Sequence, residues 1–456
     1  MTNPALADSL VVPDDTLGTE RSVVTDIDAV TQQIEGGATR GTNLFHSFLE
    51  FNVAEDHSLY FANPTGIDTI LSRVTGGNPS EILGRLGVLG NADLFLANPN
   101  GIVFGEHASL DVTGSFYATT AEAISLGDEV FSAVEPQNNS LLSVRPDAMF
   151  ENYLTGSSGD ITSEARLVTS GNLALAAQNL QLQGQLLTGQ DLTLLAMDTV
   201  TVRDTATETS VAEAGGNLTV QGNQLVDIFA LNHPGSGLFS GRDLVLRSDS
   251  PVIGDGHFLA GGNFQVETLD GSNGDLLSPT DPIILARGNV SLEDYNAASL
   301  HIFAGGSVTL GNVTITGTGP VDSTINLNNN NPVDPRNPAG IRFSDLAEFE
   351  VPDYEVTVNA DGTVSRVPIA RTITIDGSNQ ATLDVRAGVD WDALGIMTID
   401  PDPRVIGNVT LVPPDPGLSS AITINGDVRI EQPDGQVVLT NQFQPDTSLA
   451  SGMIET

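Results

Sequence analysis

The chain has 456 residues, 58 of them acidic and 17 basic, for a net charge of −41, and every basic residue is Arg. Such a charge balance repels phosphate backbones and anionic lipid, so it counts against nucleic-acid binding and against adsorption to acidic membranes. There is no Cys to form a disulfide staple, and no apolar run approaches the ~18 residues of a membrane-spanning helix.

The elements follow in chain order. Ala5-Leu6-Ala7 before Asp8 has the small-x-small form of a signal-peptidase site, so the start reads as the end of a signal peptide that is mostly missing. Between Val11 and Thr31 short strands are expected, with turns at Pro13-Asp14-Asp15 and Gly18. Arg40 to Val53 carries Leu44, Phe45, Phe48, Leu49 and Phe51, a cluster that periodicity leaves open between a helix turn and a strand; the strand is favoured, with its rings closing the end of a stack. Phe61-Ala62 then runs into Asn63-Pro64-Thr65-Gly66-Ile67, and 35 residues later Leu96-Ala97 runs into Asn98-Pro99-Asn100-Gly101-Ile102. Pro presets φ for the first corner of a turn, Gly accepts the positive φ that side chains avoid, and Asn bonds its own neighbouring backbone. Two strands ending in one rigid corner predict a coil that repeats itself in space. Gly101-Ile102-Val103-Phe104-Gly105 and Ala108-Ser109-Leu110-Asp111-Val112 continue as strands.

Five blocks in this region carry a resemblance. They are Gly36-Gly37-Ala38-Thr39-Arg40-Gly41, Asn43-Leu44-Phe45-His46-Ser47-Phe48, Leu71-Ser72-Arg73-Val74-Thr75-Gly76-Gly77, Leu89-Gly90-Asn91-Ala92-Asp93-Leu94-Phe95-Leu96 and the Asn98–Ile102 corner. In this order they resemble the secretion domain of filamentous haemagglutinin-like exoproteins of two-partner secretion systems, including cyanobacterial members. The first corner departs from the family's usual Asn-Pro-Asn-Leu. The resemblance implies a right-handed parallel β-helix, export through a dedicated outer-membrane β-barrel transporter, and a secreted or cell-surface location. Asn98, Pro99, Asn100 and Gly101, with Asn63 and Pro64, are the secretion-motif residues it implies. They either shape corners or touch the transporter.

Residues 160–316 repeat plainly. Gly and one or two polar residues precede an apolar strand, as in Gly171-Asn172-Leu173, Gly189-Gln190-Asp191-Leu192, Gly216-Asn217-Leu218 and Gly241-Arg242-Asp243-Leu244. The first apolar positions Leu173, Leu192, Leu218, Leu244, Phe264, Val290 and Val308 stand 19, 26, 26, 20, 26 and 18 residues apart. Periods of this size mean stacked supersecondary units. Parallel strands at ~4.8 Å would pile like side chains over one another and pair every backbone group with the next coil. The Asn or Asp beside each Gly is placed to bond along the corner. An all-β parallel β-helix with loops leaving the stack is the expected fold.

The organisation expected is a secretion domain over residues 8–150, repeat coils over 151–316, a polar Pro/Asn-rich loop over 317–367 and terminal coils over 368–456. In the last segment Ile369 to Asp384 reads as returning to coil strands, and Gly407-Asn408-Val409 and Gly426-Asp427-Val428 as resumed repeats.

Catalytic chemistry is not evident. The six His show no metal-ligand spacing, and His46 and His301 sit among apolar residues as packed side chains do. Asp249, Asp255, Asp270, Asp275 and Asp281 lie close in sequence, which keeps a carbohydrate-active lyase or glycosidase as the alternative. In so acidic a chain, solvated turns explain them better. Asp270 to Asp275 lacks the spacing and closing Glu of a calcium loop. The expected protein is a non-enzymatic adhesin or haemagglutinin without a cofactor. Its partners would be the transporter and cell-surface glycans or receptors.

Overall fold

The computed structural model describes residues 10–126, 129–136, 159–233, 236–280, 283–319, 348–359, 363–375, 377–391, 419–441, 446, 448–449 and 452–456. The Ala5-Leu6-Ala7 segment and the Gly407–Leu411 repeat lie outside them. Among the described residues there is no α-helix, and one 3₁₀ turn at Gly18–Glu20. The chain forms two compact units, Met1–Leu276 with Ile399–Val412, and Leu277–Thr398 with Pro413–Thr456.

The first unit is a parallel β-helix. One sheet takes a strand from each coil: Asn43–Phe51, Thr69–Val74, Asp93–Ala97, Phe116–Thr119, Leu173–Ala177, Leu192–Ala196, Leu218–Gly222, Leu244–Arg247 and Phe264–Glu267. Register is kept from coil to coil, so Leu173 lies over Phe116, Leu192 over Leu173, Leu218 over Leu192 and Leu244 over Leu218. These Leu are fully buried, each contributing about 1.5–3 kcal/mol from burial. The strands Ser80–Ile82, Ile102–Phe104, Ile161–Ser163, Leu180–Leu182, Thr199–Arg203 and Leu225–Ala230 build a second parallel face. Arg166–Thr169, Gln185–Thr188, Val211–Ala214 and Gly237–Ser240 build a third. The longer repeat steps have a simple cause: residues 204–210 form a turn between Thr199–Arg203 and Val211–Ala214, and the shorter coil before it has no counterpart.

The Gly-Asx signature of the repeats is a hydrogen-bonded ladder. Asn172 Oδ1 accepts from the Asp191 N–H (3.0 Å), Asp191 Oδ1 from the Asn217 N–H (2.7 Å), Asn217 Oδ1 from the Asp243 N–H (3.3 Å) and Asp243 Oδ1 from the Asn263 N–H (2.7 Å). A side chain at Gly216 or Gly262 would collide with Asp191 Oδ1 or Asp243 Oδ1. Gly is therefore required for the close approach of the neighbouring coil.

The N-terminal end is closed by antiparallel strands. Val11–Pro13 and Ala38–Arg40 both pair with Asn43–Phe51, and Ser22–Asp26 pairs with Thr31–Gly36. An open first strand would invite edge pairing with another chain, and these strands cover it. The segment read as an aromatic strand is one: Phe45, Phe48 and Phe51 are buried, with Phe48 and Phe51 at 5.2 Å edge to face. A hairpin, Ala123–Leu126 and Glu129–Ser132, leaves the stack and lays Phe131 against Phe45 at 5.0 Å.

The second unit has the same kind of coil. Ile283–Ala286, Leu300–Ala304, Thr382–Arg386 and Gln436–Thr440 are parallel neighbours, as are Val308–Leu310, Ile422–Ile424 and Ile454–Glu455. Between Val313–Ile315 and Thr382–Arg386 the chain leaves the stack. Residues 348–374 of this excursion form an antiparallel hairpin, Glu348–Val358 with Val364–Thr374. The Ile369–Thr374 stretch, read above as a resumed coil, is the end of that hairpin, and the coil resumes at Thr382. The Gly426 copy also moves: Val428–Ile430 pairs with Val313–Ile315, while Ile422–Ile424 is the strand that follows Val308–Leu310. The same three-letter signature serves corners of two different faces. A buried ion cluster lies in this unit. Arg386 donates to both Asp384 oxygens (2.9 Å each), His301 Nδ1 lies 3.3 Å from Asp384 Oδ2, and the Arg386 guanidinium covers the Phe303 ring. Burial alone would raise the Asp384 carboxyl, but Arg386 and His301 outweigh it and hold it low.

Candidate functional site

The two Asn-Pro corners stand on different faces. Asn63 follows Ser58–Ala62, in the sheet of Thr31–Gly36, Arg85–Leu89 and Ser109–Asp111, whereas Asn98 follows Asp93–Ala97. They are therefore not stacked rungs of one corner, although each uses the same local chemistry.

At the first corner Asn63 is half-buried and Pro64 is exposed. With the Asn63 amide turned to suit its neighbours, its oxygen accepts from the Ala92 N–H (3.0 Å) and its nitrogen faces Pro64 O (3.1 Å). The Ile67 N–H closes the turn on Pro64 O (3.1 Å), and Gly66 takes φ +89°.

The second corner is built into the stack. Asn98 and Pro99 are buried, and Asn98 is wholly shielded from solvent. Asn98 Nδ2 donates to Asn78 O and to Ser80 Oγ (3.0 Å each), both from the preceding coil. Its Oδ1 accepts from the Asn100 N–H (3.0 Å), and the Gly101 N–H reaches Asn98 O (3.1 Å). Gly101 sits at φ +121°, where a Cβ would stand 3.1 Å from Asp160 O of the following coil. Asn100 is the exposed member, and its Nδ2 donates to Gly76 O (2.8 Å). Asn98 thus ties one coil to the next, and Asn100 presents the corner to solvent.

Behind the corner lies a network that single residues of the sequence do not announce. Arg73, fully buried, donates from Nε to Ser47 Oγ (3.0 Å), from Nη2 to Thr16 Oγ1 (2.9 Å) and from Nη1 to Ser132 O (2.6 Å), and lies 4.2 Å over the Phe131 ring. Asp14 accepts from Thr16, Ser47 and Thr75. Burial pushes the Asp14 carboxyl up, and these hydrogen bonds more than reverse it. Burial also pulls the Arg73 guanidinium down to about 10, against the pull of Asp14. His46, with Nδ1 at 3.0 Å from Ser22 Oγ and its ring against Phe48 and Phe61, is held by burial down to about 3. It is a packed histidine.

Among the described residues no group of three or more His, Asp or Glu is arranged to hold a metal ion. Asp270 Oδ1 is engaged by Thr268 Oγ1 and by the Ser272 hydroxyl (2.7 Å each) within its own turn. Asp281 lies outside the described residues. No helix among them is long and apolar enough to cross a membrane.

A parallel coil closed at its N-terminal end by antiparallel strands and a buried Arg–Asp network defines a capped parallel β-helix. The family model of the TPS secretion domain matches residues 9–266, more than half of the chain, and the chain belongs to this family of two-partner secretion exoproteins. The matched span runs through the repeat coils well past residue 150. Two heme/hemopexin-binding proteins of Haemophilus influenzae are 36% identical over 69 residues and 35% identical over 72, covering 15% and 16% of this chain and 7% of each relative. Solved structures that it matches are the filamentous hemagglutinin secretion domain, at 18% identity and a TM-score of 0.32, and the HMW1 secretion domain from Haemophilus influenzae, at 14% and 0.35. They cover 66% and 70% of this chain and 93% and 92% of their own.

Proposed function

We propose that the chain is passed across the outer membrane by a dedicated β-barrel transporter, and that it then works at the cell surface as an adhesin. The observation that carries the export reading is the division of labour at the second corner. Asn98 is buried and bonded to the preceding coil, whereas Asn100 is exposed on a turn that Asn98 holds rigid. Asn98, Pro99 and Gly101 act by building the corner, as Asn63 and Pro64 do at theirs, and Asn100 is the member that a transporter can touch. A β-helix suits vectorial export because each coil needs only its predecessor as a template.

The test is co-expression with the partner transporter, measuring secreted and periplasmic chain for Asn100→Ala and Asn98→Ala. The expected result is an Asn100→Ala chain that keeps its unfolding midpoint and loses secretion, and an Asn98→Ala chain that loses both. Normal secretion of Asn100→Ala would remove the contact role. Secretion unaffected by omitting the transporter would remove the export reading. The adhesin reading is checked by coating beads with the secreted chain and counting attachment to cells, where attachment no greater than with bare beads refutes it.

A further inference from the structure

The second face of the first unit carries polar side chains that the fold leaves unused. Along Ile161–Ser163, Leu180–Leu182, Thr199–Arg203 and Leu225–Ala230 the apolar members Ile161, Leu180, Val200 and Val226 turn inward and are fully buried. The outward members fall into columns. Thr162, Gln181, Thr201 and Asp227 stand over one another in register. Beside them the Gln183 N–H bonds Ser163 O, and Arg203 pairs with Phe229. Thr162, Glu164, Gln181, Gln183, Thr201 and Arg203 line a groove of about 380 Å³.

Two kinds of polar group meet here. The corner side chains are taken: Asn179 Nδ2 donates to Asp160 (2.9 Å), and Asn179 Oδ1 accepts from the Thr199 N–H (3.2 Å). Among the described residues, the side chains of Thr162, Gln181, Gln183 and Thr201 make no hydrogen bond within the chain. All four are neutral and can both donate and accept. The lone cation, Arg203, is neutralised by Asp227 at 2.5 Å. In a chain of net charge −41 such a groove repels polyanions. Phe229, half-buried on the rung beyond Arg203, adds an apolar ring at the end of the polar column.

We propose that this face binds a neutral oligosaccharide laid across the coils. Its hydroxyls bond Thr162, Gln181, Gln183 and Thr201, and one sugar ring packs on Phe229. Coils spaced by ~4.8 Å offer an amide or hydroxyl at every step, which suits a polymer with a short regular repeat. The site binds without cleaving. Glycosidic hydrolysis needs two carboxylates flanking the bond, and with Asp227 held by Arg203 the groove has only Glu164. The inference rests on the adhesin reading, to which it gives a ligand class.

The test is calorimetric titration of the full chain with cellohexaose, maltohexaose, mannohexaose and chitohexaose, and with hexagalacturonate as the anionic comparator. At least one neutral hexaose should bind, and hexagalacturonate should bind more weakly or give no heat. Gln181→Ala, Thr201→Val and Phe229→Ala should each weaken that binding by about 5- to 10-fold, and the exposed Gln181→Ala should leave the melting temperature unchanged. No heat from any neutral hexaose at about 10 mM would overturn the proposal, as would tighter binding of hexagalacturonate or binding indifferent to all three substitutions. Cell attachment separates the two readings. If Gln181→Ala attaches as well as the parent chain while hexaoses fail to bind, the groove is wrong and the adhesin stands. If hexaoses bind and the chain does not attach to cells, the groove stands and the adhesin reading falls.

Discussion

The N-terminal cap and the repeat coils of the first unit solve one problem in two ways. Both are built on short stacked strands, the cap adding antiparallel ones at the closed end, and both must satisfy polar groups at the corners and inside. The coils bury Leu over Leu and give the polar work to one Asx ladder, copied at each turn. The cap buries Asp14, His46, Arg73 and Asn98, each with its own partners. A repeated contact is additive, because each coil touches only its neighbours. The cap joins chain segments 57–63 residues apart through one guanidinium, so losing one member unsettles the others.

The comparison is broken most severely at Arg73. Arg73→Met leaves Asp14 buried without its cationic neighbour and frees the hairpin at Ser132, and is expected to cost about 3–5 kcal/mol in urea unfolding. A loss below about 1 kcal/mol would show the network to be incidental. His46 comes next and is read through pH. Its folded-state value near 3 lies below the ordinary 6.5, so below 6.5 the unfolded chain takes a proton that the folded chain refuses. Stability should therefore fall by about 2 kcal/mol between pH 6.5 and 4.5, and His46→Leu should flatten that slope. Acid unfolding that is unchanged in His46→Leu would remove this role. Asp14, held low, adds its own loss at lower pH, as the solution falls through its folded value. At the corner, Asn98→Ala leaves Asn78 O without its donor and should cost about 2 kcal/mol. Asn98→Asp should do no better, because an ionised carboxylate cannot donate. If Asn98→Asp restored stability, the Nδ2 bonds to Asn78 and Ser80 would be unimportant. The smallest effect is expected in the coils: Asn217→Ala removes one rung of the ladder and should cost about 1 kcal/mol, and a second such substitution two coils away should add to it without coupling. Strong coupling between the two would show that the coils are no more independent than the cap.

What could be read from the sequence follows the same division. The coil strands were legible because Gly, Asx and apolar alternation recur at Leu173, Leu192, Leu218 and Leu244, and each recurrence has one meaning. The cap was legible as an aromatic strand but not as a network, because Arg73 sits in Leu-Ser-Arg-Val, which gives no hint of Thr16 or Ser132. Identical letters misled where context decides. Asn63 and Asn98 occupy different sheets, and Gly426-Asp427 stacks on Asn312, whose Oδ1 accepts from the Asp427 N–H (2.9 Å), on a face other than that of Gly306. The 348–374 ribbon was hidden by its prolines. Pro352 and Pro368 discourage a strand assignment, yet a two-stranded ribbon has outer edges where a missing N–H costs nothing.

The Asx ladder has a direction. At every rung from Ser115 to Asn263 the later coil supplies the N–H and the earlier coil supplies the oxygen. Within this ladder, shortening the chain from its C-terminal side strands a side-chain acceptor, which water readily satisfies, and leaves one backbone N–H of the preceding corner, such as that of Leu192 or Leu218, to find a new partner. Removing an early coil orphans a donor in the coil that follows. Growth from the first coil onward therefore meets a ready-made side-chain acceptor at each step, while the main-chain bonds between the same coils run the other way, as from the Leu192 N–H to Asn217 O and from the Leu218 N–H to Asp243 O.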